Sequence, residues 1–209
     1  MKTSFLYSDA RPLAIALGRH LLPHCQKLNI AGSIRREVLR VSDIELICLP
    51  ALKKVPGDLF SPLQDVIDPA FSQAIGRMGT ILKGKPEGRY LRLVPHQPVP
   101  GDDEPVRPQL AGIELDLFIP QADDYIRQFV IRIGPARFSR RVARAWGRLG
   151  WCGTEDGLRR KTDCQKRISG GKPVWLCVNE QAEKPPVWAS EHEFFAWLQM
   201  PCVEPKFRA

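Results

Sequence analysis

The sequence predicts an α+β fold in which a mixed sheet with flanking helices precedes a smaller α+β domain. Two apolar segments carry acidic residues at alternate positions, as strands of a covered sheet do. Leucines recur at helical spacing between residues 11 and 22. All five tryptophans lie between residues 146 and 197, which indicates a second core. We therefore expect one domain over 1–120 and another over 121–209, with the boundary near Pro120.

Turn residues and periodicity divide the first domain into short elements. A helix over 11–22 has Pro12 in its first turn and ends before Pro23. The remaining expected elements are strands over 28–31 and 41–49, a loop over 52–62, a helix over 69–78 closed by Gly79, a hairpin of 80–83 with 89–94, a proline-rich loop over 95–110 and a strand over 112–119.

The second domain is predicted to combine helices with a small hairpin. Helices are expected over 123–131 and 135–149, with Pro135 as the first residue of the latter. Residues 157–161 and 173–178 are expected to pair as strands of that hairpin. Ser190 and Glu193 form the capping-box pattern that opens a final short helix.

Two carboxylates one residue apart, Asp43 and Glu45, begin the second predicted strand. Residues i and i+2 of a strand point to one face, and carboxylates this close repel unless a cation separates them. Hard oxygen ligands of this kind suit Mg²⁺ or Mn²⁺. Glu114 and Asp116 repeat the pattern, and we expect Asp116 to supply a third ligand. The alternative is a strand edge with solvated acids.

The residues that precede Asp43 are typical of a phosphate-binding segment. A Gly32-Ser33 turn offers backbone N–H groups and a hydroxyl to a phosphate, and Arg36 offers a bidentate contact. Together with the nearby Ser42, these residues are our candidates for nucleotide binding. A phosphate site beside a metal-binding acid pair is what a nucleoside triphosphate with its metal requires.

The net charge of +8 is concentrated in the second half of the chain. Residues 127–172 contain 13 basic and 3 acidic side chains, an excess that favours a polyanion partner over a solvated basic surface. On the helix over 135–149, four arginines recur on one face beside an apolar seam. We call them the arginine stripe and expect it to follow a nucleic-acid backbone: Arg137, Arg141, Arg144 and Arg148.

Composition argues against several other classes of protein. No apolar run approaches the ~20 residues of a membrane span, and the N-terminus lacks a secretory signal, so we expect a cytoplasmic protein without a membrane partner. Six scattered cysteines without a C-x-x-C pair indicate free thiols rather than a disulfide framework or a zinc site. His20 and His24 lack a third ligand and are read as structural.

Several of these motifs, taken in order, resemble the palm and thumb of the DNA polymerase X family of nucleotidyltransferases. The resemblance rests on residues 31–36 with Asp43-Ile44-Glu45, on Leu115-Asp116-Leu117, on Gly134 with Phe138, and on the closing segment 189–208. It implies transfer of nucleoside monophosphates from dNTPs to a DNA 3′-hydroxyl, with release of pyrophosphate, by a monomer acting in DNA repair on primer-template or gapped DNA.

The resemblance also assigns roles to individual residues. Asp43, Glu45 and Asp116 would hold two Mg²⁺ or Mn²⁺ ions about 4 Å apart. Ser33 and Arg36 would hold the triphosphate, while Gly134 and Ser139 would contact the incoming nucleotide. Since little chain precedes the first helix, we expect no N-terminal lyase domain and no lyase activity.

The chain departs from the family pattern at several positions. Glu45 replaces an Asp, Glu114 stands where an Arg is frequent, and Ser139 stands where an Asn reads the base. Residues 131–135 lack the aromatic pair of the thumb turn, and Pro135 lowers the cost of a cis Gly134-Pro135 bond, so cis and trans both stay open. Two alternatives therefore stay open: a nucleotidyltransferase with an RNA, protein or small-molecule acceptor, and a non-catalytic nucleic-acid-binding protein.

Overall fold

The computed structural model describes residues 3–57, 63–101, 107–179 and 181–208. The chain divides into two compact units, the N-terminal unit Met1–Pro120 and the C-terminal unit Gln121–Ala209. The architecture is α+β, as predicted, with a mixed sheet and flanking helices. Within the described ranges, no helix has the length and apolar character needed to cross a membrane.

The N-terminal unit contains most of the strands. They are β1 (Phe5–Leu6), β2 (Cys25–Ile30), β3 (Arg40–Val41), β4 (Asp43–Pro50), β5 (Leu52–Pro56), β6 (Leu63–Ile67), β7 (Gly79–Gly84), β8 (Tyr90–Pro95) and β9 (Glu114–Phe118). Its helices are α1 (Tyr7–Leu21), α2 (Gly32–Arg35) and α3 (Pro69–Met78), with short 3-10 segments at Leu22–His24 and Pro108–Leu110.

A five-stranded sheet in the order β2-β4-β9-β8-β7 organises this unit. Strands β4 and β9 run parallel in its interior, and the remaining pairs are antiparallel. Alternate apolar residues of these strands, such as Ile44, Leu115 and Leu91, pack in one core with α1 and α3. The intervening residues lie on the opposite face, which therefore receives the acids of β4 and β9.

Several predicted elements of this unit are confirmed. Helix α3 has the predicted bounds, and its N-cap Asp68 accepts a hydrogen bond from the Ala70 N–H at 2.9 Å. The hairpin of β7 and β8 is also present. The strand predicted over 41–49 is instead two strands, because the chain changes partner at Ser42 and β3 pairs with β1.

Two predictions for this unit are wrong. Helix α1 begins at Tyr7, so Pro12 lies inside the helix rather than in its first turn. Residues 52–56 are not a loop, because β5 and β6 form an antiparallel hairpin. The prolines misled the prediction, since Pro56 ends a strand, where a missing N–H is tolerated. Residues 58–62 of that predicted loop, and 102–106 of the proline-rich one, lie outside the described residues.

The C-terminal unit combines helices with two hairpins. Its helices are α4 (Tyr125–Ile133), α5 (Ala136–Arg148) and α6 (Glu191–Trp197), with 3-10 segments at Ala122–Asp124, Lys161–Asp163 and Pro205–Phe207. Its strands are β10 (Trp151–Thr154), β11 (Gly157–Arg160), β12 (Cys164–Ser169) and β13 (Lys172–Cys177). Aromatic contacts connect its core, with the rings of Trp188 and Phe194 4.7 Å apart.

The predicted hairpin of 157–161 with 173–178 is wrong in its pairing. Strand β11 pairs with β10 and β13 pairs with β12, so each predicted strand belongs to a separate hairpin. Adjacent strands pair more readily than distant ones, and Gly170 and Gly171, both with positive φ, form the tight turn between β12 and β13. This pairing sets Cys164 opposite Cys177, and the Cys164 thiol also contacts Cys152.

Helix termini in this unit follow the sequence signals closely. Pro135 is the N-cap of α5 rather than its first residue. Ser190 caps α6 by accepting from the Glu193 N–H at 3.2 Å, while Glu193 reaches back to the Ala189 N–H at 2.8 Å. Among the described peptide bonds, Gln97-Pro98 is the cis one, so the Gly134-Pro135 bond, which the sequence left open, is trans.

Candidate functional site

Four carboxylates share one face of the central sheet, which we call the acid face: Asp43, Glu45, Glu114 and Asp116. The parallel register sets Asp43 beside Glu114 and Glu45 beside Asp116. Backbones of paired strands lie about 4.8 Å apart, and alternation leaves the apolar Ile44 on the opposite side. The structure therefore brings together the three acids predicted as metal ligands, and adds Glu114.

Arg92 of β8 binds both acids of β9. Its Nε donates to Asp116 Oδ1 at 2.6 Å and its Nη2 to Oδ2 at 2.9 Å, while Nη1 lies 2.9 Å from Glu114 Oε2. The Tyr90 hydroxyl also donates to Asp116 Oδ1, at 2.8 Å. Asp116 is only 7% exposed, so this two-point contact provides the charge balance that burial of a carboxylate requires.

These contacts change the acid–base properties of the donors. The hydrogen bond to Asp116 is the largest reason why the pKa of Arg92 is raised. The pKa of Tyr90 is also raised, first by burial and then by its hydrogen bond to Asp116. Both donors therefore keep their protons near neutral pH. The contact with Arg92 also gives Glu114 a partner of opposite charge.

Position 32 requires a glycine for two reasons, its backbone conformation and the close approach of the Glu45 side chain. Its φ of +63° lies in the left-handed region that glycine tolerates best. A Cβ at this position would overlap the Glu45 carboxylate, whose Cδ would lie 2.6 Å away. Beside it, the Ala31 N–H donates to the Glu45 carbonyl at 2.8 Å. The Gly32-Ser33 turn thus lies directly against one acid of the acid face.

The other predicted phosphate-binding residues adjoin this turn. The Ser33 Oγ is buried and has no hydrogen-bond partner among the described residues, which is uncommon for a hydroxyl. Burial lowers the pKa of Arg36, and the charge of Glu45 opposes this shift. Ser42 donates to Asp43 Oδ1 at 3.1 Å and so orients that carboxylate. An unsatisfied hydroxyl beside an arginine and an acid pair is consistent with a phosphate site.

The donor chemistry of the acid face fits a divalent cation. Carboxylate oxygens are the ligands that Mg²⁺ and Mn²⁺ prefer, and Asp43, Glu45 and Asp116 occupy adjacent positions on paired strands. Among the described side chains, however, no three acids, histidines or cysteines converge into a metal-binding group. Asp116 Oδ1 accepts from both Tyr90 and Arg92, whereas Oδ2 accepts only from Arg92 among the described residues, so a lone pair of Oδ2 remains for a metal ion.

The candidate nucleotide-binding residues of the C-terminal unit form a turn between α4 and α5. A Cβ on Gly134 would lie 2.9 Å from Phe138 Cγ, so the ring packs directly against the backbone. The Ser139 hydroxyl donates to the Ile131 carbonyl at 2.7 Å and lies 3.3 Å from that of Gly134. The Ser139 proton is therefore used to fix the turn, and only its lone pairs remain for a base.

The arginine stripe is exposed along α5, beside the face of the helix that buries Phe138, Val142 and Ala145. No described carboxylate forms an ion pair with these arginines. The Arg141 guanidinium lies over the Phe138 ring at 5.1 Å, and Arg140 is a further exposed arginine of the same helix. A row of uncompensated cations repels itself and favours a polyanion.

Sequence reasoning missed Arg92 and Tyr90. The signal was present, because a strand had been predicted over 89–94 and alternation places both residues on one face. What the sequence did not reveal was that β8 pairs with β9 and sets Arg92 directly opposite Asp116. The chain matches no protein-family profile and no curated protein.

Proposed function

We propose that the protein is a metal-dependent nucleotidyltransferase that adds nucleoside monophosphates from dNTPs to a DNA 3′-hydroxyl, as a minimal family-X DNA polymerase would. The observation that carries this proposal is the acid face. Asp43 and Glu45 lie beside Asp116 on parallel strands, and the Gly32-Ser33 turn lies directly against Glu45.

Each element of the site has a role in this reaction. Asp43 and Glu45 would hold Mg²⁺ or Mn²⁺, which supplies charge stabilisation for the triphosphate and activates the attacking hydroxyl. The unpartnered Ser33 hydroxyl is suited to donate to a phosphate oxygen, and Arg36 adds positive charge. Ser42 orients Asp43 through its 3.1 Å hydrogen bond. Arg92 and Tyr90 orient Asp116 and balance its charge.

The C-terminal unit supports a nucleic-acid acceptor. Its exposed arginine stripe lacks described acidic partners, and phosphate contacts of this kind give affinity that is independent of sequence. The stripe therefore positions the acceptor, while the chemistry belongs to the N-terminal unit.

One observation favours a second candidate, a nucleic-acid-binding protein without catalysis. Arg92 occupies both oxygens of Asp116 and already neutralises part of the acid face. A site whose cation is a guanidinium needs no metal. The two candidates differ in whether the acid face binds Mg²⁺ or Mn²⁺ and whether dNTPs are consumed.

Incorporation of labelled dNTPs with Mg²⁺ or Mn²⁺ tests the proposal, on primer-template DNA, single-stranded DNA and RNA primers. We expect extension of DNA by the wild type and background signal for Asp43→Asn, which keeps an oxygen for the Ser42 hydrogen bond. Asp65→Asn, at an exposed position of β6, is the matched control and should stay active.

The outcomes separate the candidates. Full activity of Asp43→Asn would refute the proposed site. Transfer to RNA primers alone would support the proposed site and identify RNA, rather than DNA, as the acceptor. Absence of transfer on every acceptor, together with retained DNA binding, would favour the non-catalytic candidate.

A further inference from the structure

The hairpin of β12 and β13 projects a surface that the core of the C-terminal unit does not use. Ile168 is 73% exposed, and Val178, just after the hairpin, is 55% exposed. Trp175 is half-buried and has no ring or cation contact with any described residue. The other tryptophans of the unit each contact an aromatic ring or a guanidinium. Trp175 therefore differs from the other tryptophans in having no aromatic or cationic contact among the described residues.

The pairing of β12 with β13 places apolar and basic side chains beside Trp175. Trp175 lies opposite Lys166, and Ile168 lies opposite Pro173, so these four residues share one face of the hairpin. Trp175, Ile168 and Pro173, together with the end of β10 at Gly153 and Thr154, line a groove of about 590 Å³. This volume lies within the range of small-molecule sites, about 300–1,000 Å³.

The charge around the groove indicates an anionic occupant. Residues 164–178 contain no acidic side chain. Arg167, which alternation places on the other face of β12, also lines the groove, whereas Lys166 lies opposite Trp175 without lining it. Neither Lys166 nor Arg167 forms an ion pair with a described carboxylate. Glu155 is the acidic residue on the groove's lining. An unpartnered indole flanked by uncompensated cations matches a ligand that alternates flat bases with phosphates.

We infer that this groove binds a single-stranded segment of nucleic acid, with a base stacked on Trp175 and phosphates held by Lys166 and Arg167. A base inside a duplex has no open face for the indole, so the groove prefers single strands. This contact is distinct from the arginine stripe, which follows a backbone irrespective of strandedness. The inference rests on the nucleic-acid acceptor proposed above and adds the form in which part of it is bound.

Fluorescence anisotropy with labelled oligothymidylate, oligouridylate and a duplex of equal length tests the inference. Trp175→Ala should weaken single-strand binding by about 5- to 100-fold and leave duplex binding nearly unchanged. Trp175→Phe keeps a stacking surface and should stay within about threefold of the wild type. Single strands should quench the tryptophan fluorescence of the wild type much more than that of Trp175→Phe. The thymidylate and uridylate arms show whether the groove takes DNA, RNA or both.

Charge variants complete the test. Lys166→Ala combined with Arg167→Ala should flatten the salt dependence of single-strand binding by about 0.7 per lost phosphate contact. Lys206→Ala, which removes a lysine paired with Glu204, is the matched control and should leave the slope unchanged. Unchanged single-strand affinity in Trp175→Ala, or equal losses for single strand and duplex, would overturn the inference.

Failure of the groove is distinguishable from failure of the proposed reaction. Asp43→Asn should lose nucleotidyl transfer and retain the single-strand preference. A chain that transfers nucleotides while Trp175→Ala binds normally would retain the reaction and reject the groove. A chain without nucleotidyl transfer whose single-strand affinity still depends on Trp175 would reject the proposed reaction and retain the groove.

Discussion

Replacing Arg92 by methionine should destabilise the N-terminal unit and make its stability respond more strongly to metal. The substitution keeps the aliphatic length and removes three charge-assisted contacts, two to Asp116 and one to Glu114. Removing one partner of a fully buried ion pair costs about 3–5 kcal/mol. Because 32% of the Arg92 side chain is exposed, water screens part of this loss, and we expect about 2–3 kcal/mol.

The stability lost in Arg92→Met depends on pH only if Arg92 loses its charge within the pH range of the measurement. The pKa of Arg92 is raised, and stability from a raised pKa is lost only as the pH rises through that value, which lies above any pH at which unfolding is measured. Arg92 therefore stays charged throughout the pH range in which unfolding is measured.

Urea unfolding followed by far-ultraviolet circular dichroism measures this effect. Tryptophan fluorescence would report only the C-terminal unit, where all five tryptophans lie. Arg77→Met removes an exposed arginine of α3 without an ion pair among the described residues and is the matched control. Arg92→Lys keeps a charge without the planar fork and should lose less than Arg92→Met.

Metal binding adds an independent measure. Without Arg92 each oxygen of Asp116 gains a free lone pair and the neighbouring positive charge is lost, so Mn²⁺ should stabilise Arg92→Met more than the wild type. The gain should grow with the logarithm of the Mn²⁺ concentration over the dissociation constant. The reasoning is refuted if Arg92→Met unfolds at the same urea concentration as the wild type.

Three further predictions follow from other parts of the molecule. Gly32→Ala and Gly112→Ala should each lower the free energy of unfolding by about 1 kcal/mol through backbone strain, because both glycines have positive φ. A Cβ at Gly32 would also displace the Glu45 carboxylate, whereas none of the described atoms lies within 4 Å of a Cβ at Gly112. Only Gly32→Ala should therefore lose Mn²⁺ affinity. Replacing the arginine stripe by alanine should weaken DNA binding uniformly across sequences. It should also flatten the slope of log affinity against log salt concentration by about 0.9 per lost phosphate contact, whereas the control Arg77→Ala should change neither. Unchanged slopes would mean that the stripe is only a solvated face. Burial, together with contacts to neighbouring thiols, raises the pKa of Cys164 to about 12. Alkylation followed by mass spectrometry should therefore label the exposed Cys202 first and Cys164 only as the pH rises. Equal labelling rates of the two cysteines at neutral pH would contradict this.

Local patterns were sufficient for much of the fold and for part of the site. Alternation with period two placed Asp43 with Glu45 on one face, because this property of a strand needs no partner. Helical periodicity placed the arginine stripe on one exposed face of α5, beside the buried one, for the same reason. Predictions that depended on pairing were weaker, and the hairpins of the C-terminal unit were joined wrongly.

Pairing between distant segments was decided only by the tertiary structure. Residues 45 and 116 are neighbours because β4 and β9 run parallel, and a slip of one residue would send every side chain to the other face. The antiparallel pairing of β8 with β9 brings Arg92 onto Asp116 and makes a guanidinium the counter-charge of the acid face. The sequence alone determined which residues carry the charges. The fold determined which charges meet, because contacts between strands far apart in the chain depend on the packing of the whole sheet rather than on local preference.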